Sequence, residues 1–291
     1  MPDTRLGVRK TYKLFVGGAF PRSESGRSYP VQAADGTLLA YAAQASRKDA
    51  RDAVKAARSA FAGWSGATAY NRGQVLYRVA EMLEGRAAQF AADVAAAEGL
   101  SAAKASAQVA AAIDRWVWYA GWTDKVAQVT GAANPVAGPY FNFSLPEPTG
   151  VVAVVAPPGS SLLGLVSVVA PVIATGNTVV VAASSARPLP AVDLAEVLAT
   201  SDVPGGVVNL LTGDPAELAP VLASHMDVNA IDLTGAGPQE AAEWERLAAG
   251  SLKRVLRPAP GGAEEDWAAE PGTRRLTTFL EIKTVWHPAG S

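Results

Sequence analysis

Residues 150–181 read GVVAVVAPPGSSLLGLVSVVAPVIATGNTVVV. The runs Val151 to Val155 and Thr178 to Val181 are apolar at consecutive positions rather than at alternate ones, the pattern of strands buried on both faces. Pro157, Pro158, Ser160 and Ser161 punctuate the exit from the first run, and Gly176 and Asn177 precede the second. Between them, Leu162 to Ala174 is too short to cross about 30 Å of hydrocarbon, and Pro171 interrupts it, so it reads as a buried helix and not as a membrane span. Farther on, Val207 to Leu211, Ala230 to Leu233 and Leu252 to Leu256 alternate with helical segments that open near Pro188, Pro215 and Pro238. This alternation predicts an α/β fold, a Rossmann-like, doubly wound parallel sheet over 150–260.

Upstream, residues 10–133 supply the rest of that unit. Tyr12 to Val16 and Arg27 to Val31 read as short strands, and Ser46 with Asp49 forms a capping box ahead of an amphipathic helix in which Ala50, Ala53, Val54 and Ala57 share a face. Two alanine-rich segments, Tyr70 to Ala97 and Ser101 to Val129, should pack as helical layers over the sheet. From Asn134 to Thr149 the chain is proline-rich and extended, a projecting arm. Residues 261–273 read as a loop, and 274–288 hold a terminal strand that needs an edge to pair with.

Composition narrows the function. The 291 residues are 49% hydrophobic and 18% charged, which suits a globular chain, and a net charge of -2 argues against a nucleic-acid partner. With no cysteine there is no disulfide and no thiolate nucleophile. The polar start, Met1 to Lys10, has no apolar signal core, so a cytoplasmic location is expected. His225 and His287 stand far apart with no Gly-x-Ser-x-Gly elbow, and Asp114, Asp124, Asp227 and Asp232 show no metal-ligand spacing, so no metal is expected.

Several segments resemble the aldehyde dehydrogenase superfamily, in its usual order: Phe15-Val16-Gly17-Gly18, Tyr119-Ala120-Gly121-Trp122, Pro148-Thr149-Gly150, Ala174-Thr175-Gly176-Asn177, Val203-Pro204-Gly205-Gly206 with Asn209 and Gly213, Leu233-Thr234-Gly235, and Lys283-Thr284-Val285-Trp286. The resemblance implies a coenzyme-type domain flanked by a small β oligomerisation arm. It also implies what this chain has lost. The family's oxyanion-donor asparagine falls at Gly159, which has no side chain to donate. The lysine and glutamate that hold the adenosine ribose fall at Ala182 and Ser185. The family's general-base motif is replaced by Val255 to Pro260, and 261–273 stand where the family inserts a whole catalytic domain with its cysteine.

Gly235-Ala236-Gly237 follows a strand and opens a helix, as a dinucleotide fingerprint does, but the third glycine is Glu240, whose charge opposes a pyrophosphate. No catalytic residue and no cofactor are therefore expected, with NAD bound weakly at most. The resemblance is to the truncated second module of two-module aldehyde dehydrogenases. It implies a non-catalytic subunit that assembles with a full-length aldehyde dehydrogenase through Thr278, Phe279, Leu280, Glu281, Ile282, Lys283, Thr284, Val285 and Trp286. Two alternatives stay open: an NAD-binding oxidoreductase with a relocated site, resting on Gly235 and Gly237, and a homo-oligomeric scaffold.

Overall fold

The computed structural model describes residues 8–290; most of the polar N-terminal stretch, residues 1–7, lies outside them. Three strands open the chain, β1 (Thr11–Tyr12), β2 (Ser28–Gln32) and β3 (Leu38–Ala43), forming a small sheet in the order β1-β3-β2. Helices α1 (Arg47–Gly66), α2 (Ala69–Glu84), α3 (Ala87–Glu98), α4 (Ala102–Ala120) and α5 (Val126–Thr130) follow. The capping box is present: the Ser46 hydroxyl accepts from the Asp49 amide while the Asp49 carboxylate accepts from that of Ser46. Each long alanine-rich segment is broken in two, at Gly85-Arg86 and around Gly121, where backbone N–H groups bond back to the preceding turn and end the helix.

Then come β4 (Ala132–Asn134), β5 (Tyr140–Pro148), β6 (Val151–Val155), α6 (Leu163–Ala174), β7 (Thr178–Ala182), α7 (Leu189–Ala199), β8 (Val208–Leu211), α8 (Pro215–Ser224), β9 (Ala230–Asp232), α9 (Pro238–Ala248), β10 (Arg254–Leu256), α10 (Arg274–Thr278) and β11 (Leu280–Pro288). The central sheet is parallel, in the order β10-β9-β6-β7-β8. Within β6, Val152 and Val154 join the core under α2, α4 and α6, while Val151, Ala153 and Val155 join the opposite core under α1, α8 and α9. Both faces are covered, which is why the strand shows no alternation. Strand order reverses between β6 and β9, so a crevice opens at their carboxyl ends.

The third sheet, β11-β5-β4, is the arm. The terminal strand finds its edge within its own chain, pairing antiparallel with β5 from Leu280 opposite Pro148 to Pro288 opposite Tyr140. Thr278 and Phe279 are not part of that strand. Thr278 closes α10, its hydroxyl donating to the Arg274 carbonyl at 2.7 Å, and Phe279 is buried in the core, where its carbonyl accepts from the Thr149 amide and from Asn177 Nδ2. Burying that ring outweighs two more rungs of ladder. Among the described residues no helix is long and apolar enough to span a membrane, and no group of three or more His, Cys, Asp or Glu could hold a metal ion.

Where α3 meets α7, Asp93 and Asp193 face one another, each with one oxygen buried and without a hydrogen-bond partner. Burial, reinforced by Asp93 and Glu196, lifts the Asp193 carboxyl to about 7, while Lys10 and Arg86 pull the other way. The folded chain holds this proton where the unfolded chain has released it, so this pair's contribution to stability falls as pH rises from about 4 to about 7 and is level above that. Urea unfolding at pH 5 and pH 7 should show Asp193→Asn removing about 2 kcal/mol of that pH dependence relative to the parent. Equal dependence in both proteins would rule the pair out as its source.

Candidate functional site

The crevice is walled by four turns, one leaving each of β6, β7, β9 and β10, and has a volume of about 460 Å³. Pro157, Pro158 and Gly159 come from the first, Ala186 and Arg187 from the second, Thr234 to Pro238 from the third, and Pro258, Ala259 and Gly262 to Glu265 from the fourth. A crevice of this kind, at the topological switch point, is where doubly wound sheets take ligands.

The backbone donors of the turn after β9 are already engaged. The Thr234 N–H donates to Asp232 Oδ1 at 2.9 Å, that of Gly235 to the Val155 carbonyl at 3.0 Å, that of Ala236 to the Leu233 carbonyl at 2.9 Å and that of Gly237 to Glu240 Oε2 at 3.1 Å. The first residue of α9 is Pro238, which has no N–H. Glu240 thus acts as the helix's own anion, closing a capping interaction on Gly237. Gly235 is glycine for a packing reason, because a Cβ there would collide with the carbonyl oxygen of Ala156.

Gly159 lies in the crevice wall, and the exposed Glu264 carboxylate rests against it, so that a side chain at 159 would have to displace the end of the Glu264 side chain. Arg187 closes the same corner by donating to the Gly159 carbonyl. Ala182 and Ser185 are not brought into the crevice: Ala182 ends β7 inside the core, and Ser185 is exposed on the following turn. Neither Glu264 nor Arg187 was visible as a site residue in the sequence, since both reach Gly159 from distant turns.

Residues 263–275 are latched over this end of the sheet. Arg275 pairs with Asp232 at 2.6 Å and with Glu265 at 2.7 Å, donates to Thr234 Oγ1 at 3.0 Å, and stands 5.4 Å above the Trp267 ring. Burial opposes its charge, but Asp232 and Glu265 outweigh that and hold the guanidinium protonated. From α4, Arg115 reaches the carbonyls of Trp267 and Ala269.

The arm is the second feature. Its register puts Phe141, Phe143 and Leu145 with Lys283, Val285 and His287 on one face, and Tyr140, Asn142 and Ser144 with Ile282, Thr284 and Trp286 on the other. Phe141, Ile282 and Trp286 are 57%, 56% and 59% exposed. The strand is fastened by Arg254 to Glu281, Lys283 to Glu147, and Ser144 to Thr284. Both outer edges are open, since β11 pairs on one side only and β4 covers β5 only from Asn142 to Ser144. Of the residues expected to mediate assembly, Leu280 to Trp286 therefore lie on this strand, which is already paired within its own sheet rather than free.

Residues 21–262 match the family profile described as Aldehyde dehydrogenase family. The chain is 33% identical over 241 residues to cytosolic 10-formyltetrahydrofolate dehydrogenase of Mus musculus, covering 79% of this chain and 26% of that protein. It is 33% identical over 263 residues to retinal dehydrogenase 2 of Gallus gallus, covering 87% and 49%. Among solved structures, the NAD+ complex of an aldehyde dehydrogenase from Bacillus cereus superposes with a TM-score of 0.80 at 28% identity, covering 84% of this chain and 50% of that one. The chain thus spans a quarter to a half of the length of these relatives.

Proposed function

We propose, for a chain that belongs to the aldehyde dehydrogenase family, that it is a non-catalytic subunit whose role is to assemble with a full-length aldehyde dehydrogenase. The observation that carries this reading is the contrast between a complete, outward-facing arm and a crevice in which the N–H groups of residues 234–237 are already bonded within the chain. The coenzyme that the family implies, NAD(P), does not fit the residues present. A pyrophosphate needs free N–H groups at a helix start, whereas here those of 234–237 are bonded and Glu240 adds a like charge. Glu264 sits where the oxyanion donor would reach in, and the chain has no cysteine to attack an aldehyde.

The three readings separate by experiment. Co-expression with a full-length aldehyde dehydrogenase of the same cell, followed by light scattering on the eluted species, should give a mixed oligomer. Only self-assembly would favour the scaffold. Isothermal titration with NAD should show no saturable heat at millimolar concentration, and the purified chain should not oxidise aldehydes. A micromolar affinity would instead favour the relocated-site reading. Replacing both Glu240→Gln and Glu264→Gly is expected to raise NAD affinity at least several-fold, because it removes one like charge from the helix start and one obstacle from Gly159.

A further inference from the structure

We propose that the chain, in the absence of an enzyme partner, pairs with a second copy of itself along the open edge of β11. The two strands run antiparallel about a two-fold axis through Thr284 and join the two three-stranded arms into one continuous sheet. The pairing takes the edge and leaves both faces of each arm open, so it stands apart from the docking of an enzyme subunit proposed above.

The ends of the ladder show which backbone groups that edge offers. The Thr149 N–H donates to the Phe279 carbonyl at 3.2 Å and the Ala289 N–H to the Pro139 carbonyl at 2.8 Å, and both pairs continue the β11–β5 register. Bonded and non-bonded pairs alternate along an antiparallel ladder, so the odd-numbered residues of β11 bond to β5 and the even-numbered ones turn their N–H and C=O groups outward. The prolines agree. Pro148 and Pro146, which have no N–H, stand opposite Leu280 and Ile282, and Pro288 stands opposite Tyr140. Ile282, Thr284 and Trp286 thus present a row of donors and acceptors to which no strand is paired among the described residues.

An axis at Thr284 sets that row against itself over the whole strand, Leu280–Pro288. Thr284 meets Thr284, and Ile282 of one copy meets Trp286 of the other. These two side chains, largely exposed in the single chain, become cross-strand neighbours beside Tyr140, whose ring already meets Trp286 edge-on at 5.9 Å. Glu281 falls opposite His287 and Lys283 opposite Val285, so no like charges face one another. Other axes do worse: one at Lys283 opposes two lysines, and one at Ile282 or Trp286 pairs only half the strand. A lysine on an edge strand commonly guards it by repulsion. Here Lys283 is paired with Glu147, and Glu281 with Arg254, within the same chain, so neither charge keeps a second copy away.

The chain has no cysteine, so one introduced thiol reports one position. Thr284→Cys, oxidised with diamide, should give a disulfide-linked dimer, because opposed Cα atoms in a bonded pair lie about 5.5 Å apart, within reach of a disulfide. Ile282→Cys alone should not, since its two copies stand about 13 Å apart along the sheet. Mixing Ile282→Cys with Trp286→Cys should restore the cross-link. Light scattering on the purified chain at tens of micromolar should give twice the mass of one chain. Thr284→Pro, which removes an outward N–H but no bond to β5, should weaken that association at least tenfold. The near-isosteric cysteine variants keep the test decisive if the proline disturbs the arm. The proposal is overturned if the chain stays monomeric, if folded Thr284→Pro associates as the parent does, or if Ile282→Cys alone cross-links as readily as Thr284→Cys.

Discussion

Arg275→Met is expected to cost about 3–5 kcal/mol of folding stability, the largest effect of any single substitution foreseen here. Asp232 is fully buried at the end of β9, and among the described residues Arg275 is the only cation within ion-pairing distance of it. Without Arg275, Asp232 keeps its bonds from the Thr234 N–H and hydroxyl, but its charge stays in the core uncompensated. The same substitution frees Glu265 and removes the cation above Trp267, so residues 263–275 should also lose one of their two anchors, the bonds from Arg115 to Trp267 and Ala269 remaining. Urea unfolding of the single variants and of Arg275→Met with Asp232→Asn would measure the coupling directly. The double variant should recover part of the loss, because the orphaned charge has gone. A loss below about 1 kcal/mol in the single variant would show that the charge is relieved by water and that the latch contributes little.

Ending the chain after Phe279 is expected to abolish the mixed oligomer while leaving the central sheet folded. The cut removes β11 but keeps the Phe279 ring and the carbonyl that ties it to Thr149 and Asn177. It strips β5 of its nine-residue partner and exposes a second unpaired edge, so the arm itself should unfold and promote self-association. A finer test leaves the ladder intact. Ile282→Asp with Trp286→Lys changes two outward side chains on one face and should weaken assembly at least tenfold, with circular dichroism unchanged. Apolar anchors of this exposure commonly dominate an interface. If both variants co-elute with the enzyme at undiminished affinity, the arm is not the docking surface and the proposed role is wrong.

The sequence by itself determined the parallel sheet. Val151 to Val155 and Thr178 to Val181 are continuous apolar runs, and such runs admit few environments other than a strand covered on both faces. It determined the α1 start as well, because a capping box is a contact between residues three apart. It also showed that the chain carries no cysteine, which is a matter of identity rather than of geometry. Only the tertiary structure decided where the remaining groups go. That β11 pairs with β5, that Thr278 and Phe279 fall outside the strand, and that Arg275 meets Asp232 across 43 positions are long-range choices. An edge's hydrogen bonds and an ion pair's partner leave no periodicity in the chain, because what selects them is the free energy of burying Phe279 and Asp232 together with everything packed around them.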